Sequence, residues 1–197
     1  MNFLRKKYKL TSDEQLMMFV QQGNEDAFLE LYERYSKKLL YYFYRMLFGD
    51  HEKAQDFLQD LFLKIVEKPE LFDHQKKFST WLYTIAHNQC KNEYRRLEIR
   101  RRFNQKEKDS GKFSESGNGM EKYLDTKLFQ SALEKKLYKL GPEQRLIFIL
   151  RFQEDLSIKE ISEITGMKEG TLKSRLFYLT RKLGQDLKDL NPVYSEV

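Results

Sequence analysis

The sequence predicts an all-α protein: two small helical domains joined by a flexible linker. Three observations carry that expectation. Glycine and proline are scarce, 9 and 3 in 197 residues, which argues against turn-rich β architectures and collagen-like chains. Apolar residues recur at the 3.6-residue period of amphipathic helices almost throughout. The period fails once, from Asn104 to Met120, where Gly111, Gly117 and Gly119 fall among serines with only Phe113 and Met120 as sizeable apolar groups. That stretch reads as a tether. The expected boundaries are therefore 1–103 for the first domain, 104–120 for the linker and 121–197 for the second.

The elements follow in order. Thr11 and Glu14 have capping-box spacing and open a helix with Leu16, Phe19 and Val20 on one face. Gly23-Asn24 breaks it, and a longer helix with the stripe Ala27, Phe28, Leu31, Tyr35 and Leu39 runs toward Gly49-Asp50. Tyr41, Tyr42, Phe43 and Tyr44 cover all sides of that helix, as a buried segment also serving an interdomain or partner surface would. Asp50 caps the next helix, where Ala54, Leu58, Leu61 and Ile65 repeat at helical spacing. Pro69 ends it by about Lys68. Residues 69–78 read as a loop, and Ser79 begins a helix with Leu82, Ile85, Ala86, Cys90 and Leu97 inward. Beyond the tether lie four shorter helical segments, near 121–139, 143–153, 157–165 and 169–189.

Composition narrows the function. With 40% hydrophobic, 14% aromatic and 34% charged residues the chain can build a core. The longest apolar run, Leu39 to Tyr44, is too short to span a bilayer. No apolar segment follows the basic N-terminus, so no secretory signal is expected. The single cysteine, Cys90, allows no internal disulfide and suits a reducing cytoplasm; its place on the inward stripe makes it a small core residue. His51, His74 and His87 have no ligand partners at metal spacing, so neither metal nor other cofactor is expected. No catalytic carboxylate cluster or phosphate-cradling glycine loop appears, which disfavours an enzyme and a small-molecule substrate.

Charge is informative by position. Residues 1–90 carry 13 basic and 13 acidic side chains, and residues 91–110 carry 8 against 4. The remaining 87 carry 15 against 13, within a formal net charge of +6. Most of the excess thus sits in one twenty-residue stretch, with a second cluster at Lys168, Lys173, Arg175, Arg181 and Lys182. Two basic stripes point to two contacts with a polyanion.

The second stripe has a frame. Ser157 and Glu160 form a capping box before a short helix with Ile158, Ile161 and Ile164 inward; Thr165-Gly166-Met167 supplies a tight turn. The next helix buries Leu172, Leu176, Leu179 and Leu183 and shows Lys173, Ser174, Phe177, Tyr178 and Arg181. This is a helix-turn-helix, whose second helix enters the major groove. Lys173 suits a guanine edge, Ser174 either base type and Phe177 a thymine methyl, with Arg175 and Arg181 on phosphates. In the first domain, Phe78 to Arg96 interleaves aromatics, amides and cations, the mixture that stacks on, reads and neutralises unpaired nucleotides. Trp81 there fits a core role at least as well as a stacking one, and Phe72 is either a hinge anchor or a pocket wall.

AQDFLQDLFLKIVE (54–67) followed by FSTWLYTIAHNQCKNEYRR (78–96) resembles domain two of the extracytoplasmic-function (ECF) sigma factors of bacterial RNA polymerase. LGPEQRLIFILRF (140–152) followed by LSIKEISEITGMKEGTLKSRL (156–176) resembles domain four of the same group. The resemblance covers about residues 13–102 and 121–190. It implies a promoter-specificity subunit in which Asp56, Gln59 and Asp60 dock on core RNA polymerase. It implies a −10 surface of Phe72, Lys76, Lys77, Trp81, Asn88, Lys91, Arg95 and Arg96, with the loop 69–78 capturing a base flipped from the single-stranded non-template strand. The −35 duplex would meet Thr171, Lys173, Ser174, Arg175, Phe177, Tyr178 and Arg181. An anti-sigma factor is the further partner the family implies, and the bacterial cytoplasm the location, at the membrane where such a factor holds it. Two departures stand out: Gly141 precedes Pro142 where the family has leucine-proline, and Leu179-Thr180 stands where it has alanine-arginine. A helix-turn-helix regulator that never docks on polymerase would explain Lys173 to Arg181 but leave residues 56–96 without a purpose. A polymerase adaptor that ignores DNA is opposed by the two basic stripes.

Overall fold

A computed structural model describes residues 8–104 and 132–188; the linker reading, from residue 105 on, lies outside them. The described residues are helical, without strands. The first domain consists of α1 (Asp13–Gln21), α2 (Glu25–Met46), α3 (His51–Glu67), a 3₁₀ turn (Pro69–Leu71) and α4 (Phe78–Asn104). The second consists of α5 (132–138), α6 (Pro142–Phe152), α7 (Ile158–Thr165) and α8 (Glu169–Asp186).

Local chemistry starts and stops these helices. Ser12, not Thr11, caps α1, its hydroxyl accepting from the Gln15 amide at 3.3 Å. Glu14 is drawn away from the expected capping box by the Phe78 amide, 3.0 Å distant, so it joins α1 to the start of α4. Asn24 and Asp50 cap α2 and α3 by the same side-chain-to-amide bond. The loop before α4 contains a 3₁₀ turn whose Pro69 carbonyl accepts from Gln21 at 2.9 Å. Arg34 holds the N-terminal segment, donating to Asp13, Glu30 and the carbonyls of Tyr8, Lys9 and Thr11.

The apolar stripes pack α2 against α1 and α3, with α4 closing the bundle. Ala54, Leu58, Leu61 and Ile65 are all buried, as are Leu82, Ala86 and Cys90. Burial of Cys90 pushes its thiol well above the ordinary range, consistent with a packing role. Ile85 and Leu97, expected inward, are only half-buried, and Tyr83 takes an inward place instead. In the second domain Leu172, Leu176, Leu179 and Leu183 seat α8 on α6 and α7.

The two domains also pack on each other. One apolar cluster runs from Leu16 and Phe43 through Tyr83 to Ile147, Ile161 and Leu172. Its interdomain seam is chiefly α4 along α7, with α2 meeting α6. Of the aromatic run in α2, Tyr42 and Phe43 are buried while Tyr41 stays half-exposed and reaches Glu134 of the second domain at 3.4 Å.

Candidate nucleic-acid interface

The helix-turn-helix is built from its capping box upward. The Ser157 amide donates to Glu160 at 2.8 Å, and the Glu160 amide donates back to the Ser157 hydroxyl at 3.2 Å. α7 ends at Gly166, whose φ of +74° is the left-handed conformation that favours glycine. Ser162 donates to the Met167 carbonyl at 2.6 Å, fixing the turn into α8. With its leucines facing in, α8 leaves Thr171, Lys173, Ser174, Arg175, Phe177, Tyr178 and Arg181 exposed. Phe177 and Tyr178 are 59% and 68% exposed, far from the norm for aromatic side chains with only a packing role. Lys173 leans on Glu169 at 3.8 Å, and Arg175 is held by Glu143 of α6. Arg175 must therefore exchange a carboxylate for a phosphate on binding DNA.

In the first domain, the face of α4 opposite Leu82, Ala86 and Cys90 carries Asn88, Lys91, Arg95 and Arg96, all exposed. Their spacing of three and four residues aligns Asn88, Lys91 and Arg95 along a helix of roughly 40 Å. Glu93, on the buried side, is taken up by Lys53 of α3 and leaves the outer face cationic. The loop before α4 is anchored by Phe72, only 3% exposed and stacked near Phe78 and Trp81 at 5.6 and 5.3 Å. Of its two expected roles, Phe72 thus takes the anchor's. Trp81 is half-buried, with one part in the aromatic cluster and the rest open. His74 meets Gln21 at 2.6 Å, and Asp73 accepts from the Gln75 amide at 3.0 Å, so the loop has a defined shape while Lys76 and Lys77 project outward. Asp56, Gln59 and Asp60 share one exposed side of α3.

Residues 31–100 match the family model of sigma-70 region 2, and residues 130–178 that of sigma-70 region 4. The RNA polymerase sigma factor YlaC of Bacillus subtilis is 33% identical over 143 residues, 73% of this chain and 82% of that one. The ECF RNA polymerase sigma factor SigW of the same organism is 29% identical over 177 residues, 87% of this chain and 94% of its own. The chain belongs to the ECF sigma factors.

Solved structures show the same fold. The sigma factor RpoE of Bartonella quintana, crystallised with the anti-sigma factor NepR, has a TM-score of 0.66 at 25% identity, covering 82% of this chain and 96% of that one. CnrH, in complex with the cytosolic domain of CnrY, gives 0.65 at 21% identity over 91% and 99% of the two chains. In this sigma factor Gly141 caps α6 at an ordinary φ of −61°, with nothing within 4 Å of where a Cβ would stand, so the departure at that position demands no glycine.

Sequence reasoning missed Arg145. Its side chain is fully buried yet has no carboxylate partner; the guanidinium donates to the carbonyls of Leu137, Tyr138 and Leu140 at 2.8–3.0 Å and to that of Arg45 in α2 at 3.2 Å. It also lies 4.2 Å over the Phe48 ring. Burial alone pulls its pKa down, while the tyrosines Tyr94 and Tyr138 oppose the fall. Its only signal was a cation within the apolar run LIFIL. Tyr83 and Glu154 were missed as well: the tyrosine hydroxyl donates to the carboxylate across the domain seam, and burial raises the pKa of both groups.

Proposed function

We propose that this ECF sigma factor directs core RNA polymerase to promoters by binding a −35 element as duplex and capturing bases of a melted −10 element. The observation that carries the reading is α8: a helix-turn-helix second helix with its leucines sealed and its cationic and aromatic residues open. Lys173, Ser174 and Phe177 are placed to read base edges, Thr171 and Tyr178 to flank them, and Arg175 and Arg181 to hold phosphates. Trp81 and Asn88 serve the flipped base, above a loop anchored by Phe72, while Lys76, Lys77, Lys91, Arg95 and Arg96 follow the strand. Residues 1–103 form the unit that docks and melts, 104–120 the tether and 121–197 the −35 reader.

The energetics support a division of labour. Separating one base-pair step costs on average about 1.4 kcal/mol of stacking. Each base stacked on an aromatic returns about 1–3 kcal/mol. One or two captured bases therefore offset one or two opened steps without hydrolysis, and the polymerase supplies the rest of the bubble. That makes docking through Asp56, Gln59 and Asp60 indispensable. The protein performs no chemistry of its own in this scheme and works in the bacterial cytoplasm, with an anti-sigma factor as its regulator; two structural neighbours are solved with such partners or a cytosolic domain.

Charge reversal tests the docking. Asp60→Lys lies on the exposed side of α3 and should leave the fold intact while abolishing co-purification with core polymerase. Wild-type recovery of core with the variant would overturn the docking assignment.

A further inference from the structure

We infer that the free chain is held shut by a latch between its two domains, and that the latch must open before the two promoter elements can be read together. The inference rests on the function proposed above and adds its regulation. The closed state is visible in the packing: α4, which carries the −10 surface, lies along α7, the first helix of the −35 reader, with Cα atoms within 8 Å. Elements named −10 and −35 lie about 25 base pairs apart, roughly 85 Å of duplex at about 3.4 Å per pair. Helices α4 and α8 laid end to end would span only roughly 67 Å at about 1.5 Å per residue. No placement of one rigid closed chain reaches both elements.

The seam has the composition of a contact built to separate. At one end Lys77, one of the −10 cations, gives its ammonium to Glu160 of α7 at 2.9 Å, and that hydrogen bond raises its pKa. A carboxylate of the −35 reader thus occupies a cation otherwise free for a promoter phosphate. In the middle Tyr83 donates to Glu154. At the other end Arg145 caps α5 and reaches across to the Arg45 carbonyl, while Arg45 pairs with Glu134 at 3.1 Å. Around these bonds the fit is incomplete. The Nε of Arg45 and the Nδ1 of His87, both buried, have no hydrogen-bond partner, and permanent cores rarely leave such groups unsatisfied. The docking residues of α3 stay exposed, so the latch withholds joint DNA reading without hiding the polymerase stripe.

Two measurements on the full chain test this. Dyes at Lys37→Cys and Gln185→Cys, both exposed positions outside the proposed binding surfaces, report the distance between the domains; Cys90 is fully buried and stays unlabelled. Energy transfer should be high in the free protein and fall in the complex with core polymerase and promoter DNA. Transfer equally low in both would overturn the latch. In the second, Lys77→Cys and Glu163→Cys are joined by a cleavable bismaleimide, Glu163 being an exposed α7 residue whose field reaches Lys77. Run-off transcription should drop at least about tenfold when linked and recover on cleavage. Equal run-off before and after cleavage would sink the latch alone. Absence of run-off with the wild-type chain would sink the sigma function itself, which separates the two failures.

Discussion

Lys173 is the residue on which base reading turns. It stands one turn into α8, exposed and only loosely engaged by Glu169 at 3.8 Å, so it is free to donate to a guanine. Lys173→Ala should cost about 1–3 kcal/mol of binding at one −35 position and relax the preference there. Fluorescence anisotropy on a set of single-base −35 variants checks this; a uniform loss across the set would make Lys173 a phosphate contact instead. Arg145 is the residue on which the second domain's seating turns. Truncating it strands three carbonyls at the end of α5 and one at the end of α2 in an apolar setting, so Arg145→Ala should lower unfolding stability by about 3 kcal/mol or more in denaturant titration. These two arginine and lysine roles differ in legibility. Lys173 could be read because helical spacing alone puts it opposite four leucines. Arg145 could not, because its acceptors are main-chain carbonyls from two domains and leave no complementary charge in the sequence.

At the scale of elements, the helix-turn-helix depends on the turn more than on either helix. Gly166 sits at φ +74° with open space around it, so a substituent there meets backbone strain and no clash. Gly166→Ala should therefore cost about 1–2 kcal/mol and weaken −35 binding by misaiming α8, while leaving association with core polymerase unchanged. Anisotropy on −35 duplex beside a core pull-down checks both halves. Helix periods and caps were largely legible. Asp50 caps α3 and Ser157 caps α7 as their spacing indicates, and Gly166 closes α7 in the expected conformation. The capping box at Thr11 was not, because two adjacent hydroxyl residues compete for the cap. Ser12 won it, and the Phe78 amide, 64 residues away in sequence, claimed Glu14. Long-range hydrogen bonds of that kind have no local signature, and the same holds for Gln21 gripping the loop through the Pro69 carbonyl.

For the whole molecule, the sequence indicates two all-α domains with two basic surfaces, and both surfaces are found exposed. The shared core between the domains was beyond local periodicity. An inward stripe shows that a residue is buried but not which neighbour buries it, so Tyr83 and Ile161 read only as members of their own helices. Only the run from Tyr41 to Tyr44, apolar on every side, announced that something else would cover α2. The central claim, that this chain gives core polymerase its promoter choice, is tested most directly by run-off transcription with purified core polymerase, a library of genomic promoters and the protein present or absent. The account predicts new start sites that appear only with the protein, share an upstream −35 and −10 pair, and vanish with Asp60→Lys. Transcripts unchanged by the protein, with core association intact, would contradict it.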